Sequence, residues 1–179
     1  MKLLRTIQLD SSDAVVFERA AAPGEWAVSG AFAFLSCDVP ALQGRARAAF
    51  RAGFLGLSSL GRSTLVQIVD ATEHDRTAAV ELLVAQLAAR FGAPDLASAR
   101  AAAEEEIAFA ASLCNHAAGV IVAVTRTFEG GSIREAYRSL VPGAQSPSRP
   151  FDFVEVVGEE ATEAQEHLDL AELAKGARI

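Results

Sequence analysis

Thr64-Leu65-Val66-Gln67-Ile68-Val69-Asp70-Ala71-Thr72-Glu73-His74-Asp75 is the stretch on which the fold turns. Its first half, Thr64 to Val69, is a nearly continuous apolar run broken only by Gln67, as expected for a strand at the centre of a sheet. Its second half changes period. Thr72 stands at a helix N-cap, and Asp75 is placed to return the capping hydrogen bond in a variant of the capping box. Val80, Leu83, Val84, Leu87 and Phe91 then form the buried stripe of a helix that Gly92 and Pro94 end.

On the N-terminal side the pattern is of strands. Leu3, Arg5, Ile7 and Leu9 alternate with Leu4, Thr6 and Gln8, and Asp10-Ser11-Ser12-Asp13 makes a turn. Val15-Val16-Phe17-Glu18 reads as a second strand, and Trp26 to Leu35 as a third, with Trp26, Val28, Phe32 and Phe34 on one face and Gly30 suited to a bulge. Asp38 and Pro40 announce a helix carrying Leu42, Ala46, Ala49 and Phe50. Gly53, Gly56 and Gly61 dissolve it into a loop.

On the C-terminal side Asp95 caps a third helix running to about His116, its charged side including Glu104, Glu105 and Glu106. Gly119 to Phe128 is strand-like, and Glu129-Gly130-Gly131 is a turn. Ser132 to Val141 fits a helix with Ser132 and Glu135 as a capping box, or the return strand of a hairpin; the hairpin is preferred because the stretch is short for a helix. Residues 142–150 are a Pro/Ser/Gly loop, and Phe151 to Val157 is a last strand. The sum is α+β: a mostly antiparallel sheet of about seven strands with three central helices packed on it. A single domain over 1–157 and an acidic tail over 158–179, possible helix included (Leu168, Leu170, Leu173), complete the organisation.

Composition narrows the function classes. The chain is 51% hydrophobic, but 37 of its 179 residues are alanine, and without them about 30% remains, an ordinary globular share. The net charge of −7 is uneven: residues 151–179 hold eight acids and two bases, so the body is close to neutral. That excludes a uniformly basic nucleic-acid binder and a polyanionic disordered chain. The longest apolar run, Ala117 to Val124, is far short of the roughly 20 residues of a membrane span. Cys37 and Cys114 have no CxxC spacing and suit two free thiols in a reducing cytoplasm.

Three constellations bear on chemistry. Gly56-Leu57-Ser58-Ser59-Leu60-Gly61-Arg62-Ser63 matches a phosphate loop with arginine in place of lysine. The order is reversed, however, with a helix before it and a strand after, and Leu57 and Leu60 favour burial. Ser112, Cys114 and His116 cluster near a helix end. Ser112 and His116 can touch at i and i+4, whereas Cys114 shares the apolar face with Ala103, Ile107 and Ala110. The competing reading is that Ser112 bonds back to its own helix and Cys114 is a small core residue. Finally, Arg126, Arg134 and Arg138 come together across the proposed hairpin, with Arg62 elsewhere, as forks for an anionic ligand, a solvated face, or a receptor for the acidic tail or a partner's. His74, His116 and His167 are scattered and no HxH, HExxH or DxD spacing occurs, so neither a metal site nor a cofactor is expected.

Phe17-Glu18-Arg19, Pro23-Gly24-Glu25-Trp26-Ala27-Val28-Ser29-Gly30, Gly61-Arg62-Ser63-Thr64 and Ala111-Ser112-Leu113-Cys114-Asn115-His116 resemble segments of short hypothetical proteins from proteobacterial genomes, a family of unknown function. The resemblance covers most of the chain and implies a bacterial cytoplasmic protein without supplying an activity. The expectation is a non-enzymatic accessory or binding protein, homo-oligomeric or bound to a protein partner, with no nucleic-acid or membrane role. The alternative is a small-molecule enzyme acting on an anionic substrate near Ser112, Cys114 and His116.

Overall fold

The computed structural model describes residues 1–142, together with the strand segments 154–156 and 164–165. Thr64 to Val69 lies where its apolar content places it. The strand β5 (Leu65–Asp70) pairs antiparallel with β1 (Lys2–Ile7) on one side and β6 (Ile121–Glu129) on the other. Around it one antiparallel sheet runs β4 (Arg62–Ser63), β3 (Phe54–Gly56), β2 (Trp26–Val28), β1, β5, β6, β7 (Ser132–Pro142), β8 (Val154–Val156), and β9 (Ala164–Gln165) also pairs with β7. Three helices of nine, 18 and 17 residues, α2 (Gly44–Ala52), α3 (Glu73–Arg90) and α4 (Leu96–Ser112), come between β2 and β6 in the chain. The fold is α+β.

The caps act as their residue types require. The Thr72 side chain accepts from the Asp75 amide at 3.1 Å while the Asp75 carboxylate accepts from the Thr72 amide at 2.9 Å, the reciprocal pair that opens α3. At α4 the Asp95 carboxylate accepts from the Ser98 amide at 2.7 Å. The helices pair over alanine on α4 (Ala99, Ala103, Ala110) and larger residues on α3 (Val80, Leu83, Val84, Leu87), all in one core with Leu4, Val66, Ile68, Val122 and Val124 of the sheet. Burying each large aliphatic side chain contributes about 1.5–3 kcal/mol. Glu106, read from sequence as part of the charged face of α4, is instead buried, with 3% of its surface exposed.

Three local readings are corrected. The stretch read as a second strand falls in the short helix α1 (Ser12–Val16) and the residues after it. Asp13 on that helix is buried and accepts from the Thr64 amide and hydroxyl, the latter at 2.5 Å, which ties the segment to the entrance of β5; Phe17 sits 1% exposed. The third strand stops at Val28. Gly30 takes a left-handed φ of 73°, a side chain there would collide with Leu55 Cβ at 2.5 Å, and the chain leaves as a 3-10 turn over Ala31–Phe34. Phe32 and Phe34 therefore enter separate clusters instead of sharing a strand face. Pro40 opens a separate 3-10 turn, Val39–Ala41, and α2 starts only at Gly44. Residues 143–153, 157–163 and 166–179, which include most of the Pro/Ser/Gly loop and the tail helix expected from sequence, lie outside the described residues.

Candidate functional site: the two faces of the β6–β7 hairpin

The segment 132–141 is the return strand of a hairpin. Gly130 and Gly131 both have left-handed φ, 58° and 82°, as a tight two-residue connection demands. That turn pairs Glu129 with Ser132 and so places Arg126 opposite Glu135. Directly opposed residues share a face, and this pair faces inward. The Arg126 Nε donates to Glu135 Oε1 at 2.5 Å, and neither side chain is more than 1% exposed. Ser29 Oγ donates to the same carboxylate oxygen at 2.5 Å, and the Tyr137 hydroxyl donates to Oε2 at 2.7 Å. Burial, reinforced by the Glu135 charge, pushes the Tyr137 phenol well above its ordinary range, so it holds its proton and serves as a donor.

The rest of the guanidinium reaches across to α2. Arg126 Nη1 donates to the carbonyls of Phe50 and Gly53, each at 3.0 Å, and Nη2 donates to the carbonyl and hydroxyl of Ser29. The two α2 carbonyls belong to the helix's last turn and its C-cap, where acceptors lack intrahelical donors and a cation meets the negative end of the helix. Arg62 joins from β4: its Nη1 donates to the carbonyls of Gly30 at 3.3 Å and Gly53 at 3.2 Å, and its guanidinium lies 4.6 Å from the centre of the Phe34 ring. Burial, with Arg126 nearby as a second cation, pushes Arg62 down to about 9. The arrangement clamps α2 and the Ser29–Gly30 corner to the hairpin.

The arginines expected to converge do not. Thr127 opposes Arg134 and Ala123 opposes Arg138, which puts both on the face opposite Arg126. Both are exposed, and Arg134 has a loose contact with Glu129 at 3.6 Å. Arg126 finds Arg62 instead, through the shared Gly53 carbonyl. The other candidates sit at the end of α4. Ser112 donates back to the Phe109 carbonyl at 2.7 Å. Cys114 is buried in the core, its thiol 3.3 Å from the Ala110 carbonyl, and burial pushes it up to about 11, partly offset by Lys2. His116 lies beyond the helix, where its carbonyl accepts from Lys2 Nζ. Among the described residues no group of three or more His, Cys, Asp or Glu is placed to hold a metal ion.

The phosphate-loop match closes the β3–β4 hairpin, and an anion does rest on it, but that anion belongs to the chain. Glu25 Oε2 accepts from the amides of Ser58 at 3.0 Å and Ser59 at 2.8 Å, while Oε1 accepts from the Ala22 amide at 2.7 Å. Leu57 is fully buried. Sequence reasoning missed Ser29, Glu135 and Tyr137. The signal was available: once Gly130-Gly131 is taken as a two-residue turn, counting back along both strands pairs Arg126 with Glu135.

A model of a protein family whose description gives no function matches residues 1–149, more than four-fifths of the chain. This chain belongs to that family of unknown function, DUF6505. The family domain thus takes in the sheet from β4 to β7, all the helices and the Arg126 clamp, and ends before β8 and β9. No curated protein and no solved structure gives a significant match. No described helix is long and apolar enough to cross a membrane.

Proposed function

We propose that this chain is a non-enzymatic accessory protein of a bacterial cytoplasmic assembly that binds a protein partner along the outer edge of β7. One observation carries the reading: that edge accepts added strands. β8 pairs with Leu140–Pro142 and β9 with Arg134 and Glu135, both antiparallel. An edge strand offers a row of backbone donors and acceptors to any extended segment of suitable register. Exposed Arg134 and Arg138 beside it favour a segment rich in carboxylates. A second copy of the chain is one such partner.

Affinity capture with the intact chain tests this, with Arg134→Glu/Arg138→Glu as the control. The expected result is a defined protein retained by the wild type and lost by the charge-reversed variant. A purified protein that is monomeric and retains nothing sinks the reading.

A further inference from the structure

We propose that α2 and the adjoining α1 form a second docking surface, one that fits an acidic amphipathic helix of another protein. It goes beyond the β7 edge and does not depend on it. α2 supplies the Phe50 and Gly53 carbonyls to inward-facing Arg126, so it lies on the opposite side of the hairpin from Arg134 and Arg138. The sequence concentrates positive charge here. From Val39 to Val69, 31 residues hold four arginines and no acid, in a chain whose net charge is −7. Arg62 belongs to the clamp; the other three, Arg45, Arg47 and Arg51, are exposed on α2. Among the described residues none of these three has an ion-pair partner, whereas Arg76 and Arg100 on α3 and α4 pair with Glu73 and Glu81.

Their placement does not serve the helix itself. Arg45 stands in the first turn, at the positive end of the helix dipole, with no acid in that turn. Arg47 and Arg51, at i and i+4, share a face and repel each other. The negative end of α2 already meets Arg126 and Arg62. A partner that brings carboxylates to α2 relieves this repulsion. Charge alone would suit any polyanion, and α1 narrows the choice. It packs beside α2 and presents Val15 and Val16, 68% and 39% exposed. Arginines beside aliphatic side chains have the make-up of a protein interface. A phosphate backbone gains nothing from two valines, and valine is too short to reach hydrocarbon from among lipid headgroups, as Trp, Phe or Leu does. The complement is a helix with carboxylates one turn apart for Arg47 and Arg51 and a row of larger aliphatic residues for Val15 and Val16.

Fluorescence anisotropy of the full chain with a labelled synthetic helical peptide, a glutamate row at i and i+4 beside a leucine row, tests the proposal. The wild type should bind it, and Arg47→Glu/Arg51→Glu should weaken binding about tenfold or more, because like charges then meet. Arg47→Gln/Arg51→Gln should weaken it less, in the same direction. Both variants should melt with the wild type, since these side chains are exposed. Val15→Ser in the chain, or serine for leucine in the peptide, should each weaken binding about threefold or more. No binding by the wild type at about a millimolar peptide overturns the proposal, as does equal binding by the wild type and the charge-reversed chain. Unchanged binding on both serine replacements also overturns it. Arg134→Glu/Arg138→Glu should leave the affinity unchanged. A loss there equal to that of the α2 reversal would move the peptide to the β7 edge, overturning this proposal and leaving the β7 reading. Poly(U) RNA or phosphatidylserine vesicles bound more tightly than the peptide would make the partner a nucleic acid or a membrane and likewise overturn it.

Discussion

Arg126 and Arg134 stand on facing strands of one hairpin, one residue out of register, and their circumstances are opposite. Arg126 has no exposed side-chain surface, and Glu135, Ser29, Phe50 and Gly53 surround it. Arg134 is half exposed and lies 3.6 Å from Glu129. The difference is parity. In a strand a shift of one residue moves a side chain to the other face. It teaches that the same guanidinium is an internal brace on one face and a surface charge on the other, with register alone deciding.

The comparison can be broken most sharply at Glu135. Glu135→Ala leaves Arg126 buried without its carboxylate and should cost about 3–5 kcal/mol in denaturant unfolding. A loss below about 1 kcal/mol would mean the pair is not buried as described. Replacing both partners, Arg126→Met with Glu135→Leu, should recover only part of the loss, because the Phe50 carbonyl loses its donor and the Tyr137 hydroxyl its acceptor.

A charge held by backbone amides lies between the extremes. Glu25→Ala removes the acceptor of three amides, Ala22, Ser58 and Ser59, and should cost about 2 kcal/mol by the same measurement, less than Glu135→Ala because that loop can admit water. Next comes Cys114. Its folded thiol is pushed up to about 11 from 9.0, so between those values the unfolded chain releases a proton that the folded chain keeps. This group's contribution is intact below pH 9 and is lost as pH rises to about 11. Arg62, pushed down to about 9, acts with the opposite sign, so the test is wild type against Cys114→Ala, which share Arg62. The stability gap between them should narrow from pH 8 to pH 11; a constant gap would place the thiol in water. The smallest effect belongs to Arg134→Ala, within about 0.5 kcal/mol of wild type. A larger loss would erase the contrast with Arg126.

Parity also explains what could be read in advance. The apolar run into β5, the Thr72–Asp75 cap and the Asp95 cap are local signals, and local structure followed them. The hairpin at Gly130-Gly131 was legible for the same reason. Val15-Val16-Phe17 was not, because its conformation depends on Asp13 meeting Thr64, 51 residues away. Nor was the break at Gly30, which depends on how closely Leu55 and Arg62 approach. At the candidate site the arginines were visible but their grouping was not. Spacing along the chain suggested Arg126 with Arg134 and Arg138, whereas the clamp is assembled from β4, β6, β7 and the Ser29–Gly30 corner.

The placement of β1 has a consequence for how the molecule is made. The strand β1 ends up inside the sheet, flanked by β2 and by β5, and its contact with β5 joins Lys2 to Asp70. Until β5 has been synthesised, more than fifty residues after β1, one edge of that strand has no neighbour to pair with. Sheets closed by such distant pairings fold slowly, on the order of milliseconds to seconds. The nascent chain therefore carries an open β1 edge until β5 emerges, the interval in which a chaperone has most to do.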